Sequence, residues 1–186
     1  NALHKGTELD FSIRLSPKLT VEAVVSVGDW KWTSKDTVRF LDDNNNPITD
    51  DAGNEITVSF DADGVHVGDA AQTQKGISLR YDPNKSSYIK LRGTNFKRYY
   101  SDFDPLSLSG DNAGRESWEI PAYNLIDLHC GYKFKLSDKN KLDIKLSVLN
   151  LFDEIYISDA QNNDPYNAIY QDFDAKSAGV FFGLGR

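Results

Sequence analysis

One cysteine, three histidines and the absence of any long apolar run strip this 186-residue chain of the marks of several protein classes. Cys130 has no second cysteine to pair with, so no internal disulfide staples the fold, and the redox compartment stays open. No stretch approaches the roughly 18 apolar residues that a transmembrane helix needs. The first residues, Asn1-Ala2-Leu3-His4, offer neither the basic segment nor the apolar core of a signal peptide, so any export signal is expected upstream of Asn1. His4, His66 and His129 are scattered among different elements without metal-ligand spacing. The carboxylate pairs Asp42-Asp43 and Asp50-Asp51 lie in loop sequence with no acid or base set against them. No metal, no cofactor and no enzyme activity are expected.

What the chain does have is alternation. Thr7, Leu9, Phe11, Ile13 and Leu15 share one face and Glu8, Asp10, Ser12 and Arg14 the other, the period of two of a strand with one apolar side. Ser16-Pro17-Lys18 turns the chain, and Leu19, Val21, Ala23, Val25 and Val27 carry the apolar face up to Trp30 and Trp32, which makes a hairpin. Ile77, Leu79 and Tyr81 descend into the turn Asp82-Pro83-Asn84-Lys85-Ser86, and Ile89, Leu91 and Gly93 rise beyond it. A fifth strand carries Ala122, Ile126, Leu128, Cys130, Tyr132 and Phe134, and a sixth Leu142, Ile144, Leu146 and Val148. Val180 to Leu184 begins a seventh. A mean hydropathy of -0.52 does not exclude membrane insertion by such strands, because only every second residue would meet lipid.

The turns at 16–18, 82–86 and 136–141 are short, whereas the connections at 33–71, 101–117 and 153–177 are long. A membrane β-barrel has this asymmetry, with tight turns at one rim and extended loops at the other. Aromatic residues fall into two groups: Trp30, Trp32, Tyr99, Tyr100, Trp118 and Phe152 at the long-loop ends, and Tyr81, Tyr88, Tyr132 and Phe134 at the short-turn ends. These are expected to form two interfacial girdles. The three long connections carry net charges of -7, -3 and -5 in a chain of net -7, so the strands and short turns are net basic. Arg14, Lys90, Arg92, Asp127, His129 and Lys133 are expected to face a lumen beneath acidic loops, and nucleic acid is not expected as a partner. Within the first long connection, Asp42-x-Asn44-x-Asn46 has the opening of a calcium loop, but Pro47 stands where that loop needs Gly, and Gly53 where it needs Glu. Residues 37–63 are expected instead to form an extra hairpin, with Ile56, Val58 and Phe60 alternating after a turn at Asp51-Ala52-Gly53-Asn54.

The alternating strand Leu146-Ser147-Val148 runs directly into Asn150-Leu151-Phe152-Asp153, with Tyr156 just beyond. With His4-Lys5-Gly6-Thr7-Glu8-Leu9, Gly28-Asp29-Trp30-Lys31-Trp32, His66-Val67-Gly68-Asp69-Ala70 and Pro121-Ala122-Tyr123 in that order, it resembles the C-terminal barrel strands of TonB-dependent outer-membrane receptors over nearly the whole chain. The resemblance implies an all-β, antiparallel transmembrane β-barrel segment spanning residues 1–186, about six complete strands and a partial seventh of a 22-stranded barrel, in the outer membrane of a Gram-negative bacterium. It also implies TonB-dependent uptake of a scarce ligand such as a siderophore-iron complex, haem, cobalamin, a glycan or a peptide. The implied partners are outer-membrane lipid, the remaining strands and N-terminal plug of the same receptor, the TonB complex acting through that plug, and a small-molecule or oligomeric ligand. Tyr100, Phe103, Trp118 and Tyr166 are the loop residues expected to contact it. Two other classes remain open: a soluble all-β, lectin-like binding module, and an outer-membrane barrel that does not transport.

Overall fold

The computed structural model describes residues 1–161 and 179–185, and the described chain is all-β, with no α-helix. Eleven strands occur among the described residues: β1 (Ala2–Ser16), β2 (Leu19–Trp32), β3 (Lys35–Arg39), β4 (Thr57–Asp61), β5 (Ala71–Asn84), β6 (Ser87–Tyr100), β7 (Glu119–Ile120), β8 (Tyr123–Lys135), β9 (Lys141–Val148), β10 (Ile157–Gln161) and β11 (Gly179–Phe182). Six long strands make an antiparallel meander in the order β1-β2-β5-β6-β8-β9, and β7 adds a short pairing to β6. The sheet is open, with β1 and β9 at its edges.

The short turns are tighter than the sequence suggests, because their own side chains close them. Pro17 and Lys18 alone join β1 to β2, and the Ser16 hydroxyl accepts the Lys18 N–H at 3.2 Å. Lys85 and Ser86 join β5 to β6, where the Asn84 side chain accepts the Ser86 N–H at 2.8 Å. Between β8 and β9 the Ser137 hydroxyl accepts from Lys139 and Asn140. Such acceptors replace ladder partners that a turn lacks. Since a meander alternates its connections between two edges, all three short turns fall at one edge and every long connection at the other.

Register is unbroken from one edge to the other. Ile13 pairs with Val21, Val21 with Leu79, Leu79 with Leu91, Leu91 with Leu128 and Leu128 with Val148, a single apolar row across six strands. Directly opposed residues share a face, so this row and the residues an even number of positions from it in each strand define one apolar face. No second layer covers it among the described residues: Leu9 is 67% exposed, Ile77 61% and Leu146 61%. On β2 the apolar face runs from Leu19 to Val27, about 26 Å at ~3.3 Å per residue. The band also crosses the sheet obliquely. Relative to the Ile13–Val148 row, its centre lies one residue toward the long loops in β1 (Leu9 to Leu15) and three residues toward the short turns in β9 (Leu142 to Val148). This is roughly 13 Å of displacement over about 24 Å of sheet, an inclination of about 30° between the band's normal and the strands.

Three expectations need correction. Trp30 and Trp32 do not extend the apolar face: they pair with His4 and Ala2 in the alternation of Gly28, Ser26 and Glu22. The physical reason is parity, since an odd step from Val27 to Trp30 reverses the side. Tyr88 likewise pairs with Gly131 on the polar face, leaving Tyr81, Tyr132 and Phe134 as the apolar-face aromatics at the short-turn end. Finally, Val180 to Leu184 does not enter the main sheet. Gly179–Phe182 pairs with Ile157–Gln161 in a separate two-stranded ladder, within a stretch expected to be loop. An extra hairpin does form, as β3 paired with β4, but residues 40–56 join its strands and the expected turn at Asp51–Asn54 is only part of that connection.

Gly131 is required by a close approach. A Cβ at this position would lie 2.3 Å from Tyr88 Cε1, because the Tyr88 ring lies across the glycine while its face receives the Arg80 guanidinium at 4.3 Å. Gly131→Val is expected to displace the ring and lower stability by about 1–3 kcal/mol in a urea titration, the cost of overpacking; an unchanged midpoint would mean that the ring moves aside freely.

Candidate functional site

The polar face carries two charged rows, each continuous in register. One is Ser12, Glu22, Ser78, Arg92 and Asp127; the other is Arg14, Thr20, Arg80, Lys90, His129 and Ser147. Lys133 stands opposite Asp143 on the same face. All six residues expected to face a lumen (Arg14, Lys90, Arg92, Asp127, His129 and Lys133) therefore share one surface. Lys90 Nζ lies 2.6 Å from Glu22 Oε2, which also accepts from the Ser78 hydroxyl at 2.9 Å. Arg80 holds Asp82 through a forked pair at 2.9 and 3.1 Å, and His129 Nδ1 meets the Ser147 hydroxyl at 2.9 Å. Charge-assisted bonds of this kind fix side chains that would otherwise sample water. Asp10, Ser12, Glu22, Ser78, Lys90 and Arg92 line an open depression of about 440 Å³ on this face.

Above these rows the long connections fold into a crown. Its small core is Ala62, Val65 and Leu108, packed against Trp32, Phe60 and Phe103. Val65 and Val67 bond to the end of β2, through Trp32 N–H to Val65 O at 2.8 Å and Val67 N–H to Trp30 O at 3.0 Å. Gly114 N–H reaches Asp61 O, and Asp102 N–H reaches Ala160 O, so three connections are tied to one another. Gly68 makes one of these contacts possible, because a Cβ there would stand 2.8 Å from Ser101 O.

A histidine fastens the crown to the sheet. His66 stacks on Tyr100 with centroids 4.1 Å apart and an interplanar angle of 2°. Glu116 accepts from the His66 backbone at 3.0 Å and meets ring Nδ1 at 2.7 Å, which assigns the Nδ1 proton, since an ionised carboxylate only accepts. Nε2 faces Asp29 at 3.4 Å and Arg98 at 3.5 Å. Arg98, at φ 52°, also donates to Gly28 O at 2.7 Å and to Asp29 at 3.2 Å.

Of the expected loop contacts, Tyr100 is 6% exposed beneath His66, and Phe103 packs edge-on to Trp32 with centroids 6.3 Å apart. Trp118 is half-buried, and its carbonyl accepts the Ser101 N–H. Tyr166 lies outside the described residues. Among the described residues, no group of three His, Cys, Asp or Glu side chains is arranged to hold a metal ion. The calcium-like stretch is a turn. Asp42 accepts the N–H groups of Asn44 and Asn46, both at 2.8 Å, and Asp50 does the same for Ala52 at 2.9 Å and Asn54 at 2.8 Å. The two turns repeat at eight residues, and Phe40, Ile48 and Ile56 close a ring of backbone hydrogen bonds: Ile48 N–H to Phe40 O, Ile56 N–H to Ile48 O and Phe40 N–H to Ile56 O. The signal was present as Asp-Asp-x-Asn/Gly-Asn written twice.

Asn150, at the head of the Asn-Leu-Phe-Asp stretch, is 4% exposed and takes φ 49°. Its N–H donates to Asp127, its amide to Glu154 O at 2.9 Å and Leu184 O at 3.3 Å, and its side-chain oxygen accepts the Glu154 N–H at 2.9 Å. The side chain thus joins the turn after β9 to the segment after β11, and the backbone N–H of the same residue ties them to β8. Close by, Phe96, Tyr123 and Tyr156 stack at 4.9 and 4.5 Å.

No protein-family model and no curated protein matches this chain.

Asn150→Ala is expected to cost about 1–3 kcal/mol, because it removes three partly buried hydrogen bonds of a buried side chain; an unfolding midpoint within error of the parent would show that the clamp is dispensable. Backbone donation from Asn46 and Asn54, then their side-chain amides, hold the Asp42 and Asp50 carboxyls below the ordinary 3.8. Their contribution to the two turns is therefore complete above pH 3.8 and lost as pH falls through the lower folded values. The amide proton shifts of Asn46 and Asn54, followed by NMR on acidification, should hold steady to below that value and then collapse together; a midpoint at or above 3.8 would contradict the turn assignment.

Proposed function

We propose that this chain supplies C-terminal strands to a TonB-dependent receptor barrel in the outer membrane of a Gram-negative bacterium, importing a scarce ligand such as a siderophore-iron complex, haem, cobalamin, a glycan or a peptide. The observation that carries the reading is the bare, oblique apolar band. Its projected area is roughly 600 Å², from about 24 Å of sheet and about 26 Å of strand, which is at the upper end of what monomeric soluble proteins expose. Its inclination of about 30° approaches the 35–45° strand tilt of membrane barrels, and a stretch of strand of about 26 Å at that inclination rises about 23 Å, close to the ~25 Å height of their lipid-facing band. A soluble binding module would place a second layer on this face.

The loop asymmetry and the Asn-Leu-Phe-Asp stretch support the same reading. In it the polar rows line the aqueous lumen, where Arg92, Lys133 and the Lys90–Glu22 pair meet the plug or a passing ligand. The crown faces outward. Tyr100 and Phe103 maintain its shape, while Trp118 and Tyr166 contact ligand directly.

Leu79→Arg, at the middle of the band, is expected to cost about 2–4 kcal/mol in folding into lipid vesicles, against little for the same change at Ser12 on the polar face. Equal costs at the two positions would remove the lipid assignment. Uptake is tested in cells making the full-length receptor: accumulation of labelled ligand should cease when TonB is deleted, and accumulation that continues without TonB would contradict active import.

A further inference from the structure

The apolar face ends differently at its two margins. Toward the short turns it ends in Tyr81, Tyr132 and Phe134. Toward the long loops, register places lysines on it: Lys75 opposite Val25, Lys97 opposite Thr73, Lys31 opposite Leu3, and Lys5 opposite Asp29. The other strand lysines of the main sheet, Lys90, Lys133, Lys135, Lys141 and Lys145, fall in the polar alternation. The long-loop margin of the face therefore carries four lysines, with Asp29 paired to Lys31 at 3.8 Å, while Asp69 and Asp159 lie higher, near Tyr99.

A groove lies at this margin. Val25, Ile77, Gly93 and Ile126 form its apolar part, and Lys75, Asn95 and Asn124 its polar end, around a volume of about 300 Å³. Gly93 creates the space: it sits in register between Ile77 and Ile126, and a Cβ there would already lie 3.1 Å from Ile126 Cδ1. At the polar end the Asn95 amide donates to Asn124 Oδ1 at 2.8 Å, which leaves the Asn124 amide N–H groups as donors. Lys97 is the diagonal neighbour of Lys75, at a spacing of roughly 7–8 Å, so both ammonium groups can reach one anion placed between their strands.

We infer that this groove is a lipid site, which takes an acyl chain over Gly93 and the phosphate of the same lipid between Lys75 and Lys97. The inference rests on the reading that the apolar face meets lipid, and it adds a headgroup preference that this reading does not require. The chemistry favours a lipid over free phosphate, since a bare anion would leave the apolar part of the groove empty. Lysine is suited to the position because its aliphatic stem lies along the apolar surface while the ammonium group reaches the headgroup level. Attraction of a basic residue at the membrane surface to anionic headgroups corresponds to about fivefold in affinity for one lysine and about thirtyfold for two.

The test uses the full-length receptor in detergent, titrated with phosphatidylglycerol or with phosphatidylcholine of the same chains, and reads bound lipid by native mass spectrometry. The parent protein should retain phosphatidylglycerol preferentially, and inorganic phosphate should compete poorly. Lys75→Gln with Lys97→Gln should reduce that preference by about tenfold or more, while Gly93→Leu should lower retention of both lipids by filling the groove. Equal retention of the two lipids by the parent, or a preference untouched by the double substitution, would overturn the lipid site while leaving membrane insertion standing. Failure of the receptor to enter vesicles at all would instead remove the reading on which the site rests. Folding of each variant is checked by the heat-modifiable migration of a closed barrel, so that loss of binding is not mistaken for loss of fold.

Discussion

Everything about this molecule depends on cross-strand register. Once Ile13, Val21, Leu79, Leu91, Leu128 and Val148 stand in one row, each odd or even neighbour in every strand is assigned a face. A slip of one residue in any strand would put an ammonium or carboxylate among the aliphatic side chains. Two kinds of contact resist such a slip. Short turns, of two residues in the first two hairpins and five in the third, fix the offset within each hairpin, and pairs such as Lys90 with Glu22, two strands away, fix it between hairpins.

The two edges of the sheet divide the work. The short-turn edge is closed locally by Ser16, Asn84 and Ser137, each bonding to backbone within three residues. The long-loop edge is closed at long range: His66 joins residues from β2, β6 and the connection before β7, and Asn150 joins β8 to the segment after β11. Ligand selectivity in the proposed receptor belongs to the second edge, where loop shape depends on a few buried polar side chains. The crown is held by hydrogen bonds and aromatic contacts around a core of three small aliphatic residues, so it is easily altered without disturbing the strands beneath.

Period-two alternation made the main strands, their order and the extra hairpin legible in the sequence, because burial of one face imposes that period directly. The polar-face set from Arg14 to Lys133 was legible for the same reason. Trp30 and Trp32 show where residue type misleads: an indole suggests an interfacial position, but parity from Val27 decides the side. The His66 clasp could not be read, since Asp29, Arg98 and Glu116 are brought to it from as far as 50 residues away. The pairing of Gly179–Phe182 with Ile157–Gln161 was missed because the segment continues the apolar grammar of a sheet strand while its partner has none. Asn150 stands out in the sequence as part of a pattern, but its role as a clamp needs the positive φ and the three segments it bonds.

The central claim is that one face of this sheet meets lipid chains and the other meets water. Spin labels placed singly along β5 and β6 of the full-length receptor in vesicles, at 77, 79 and 91 and at 78, 80 and 90, measure it directly through collision with oxygen and with a water-soluble nickel complex. The account predicts strict alternation, with oxygen dominant at the first set and the nickel complex at the second. Protection of the first set from both reagents would mean that protein covers the apolar face, and would contradict the account.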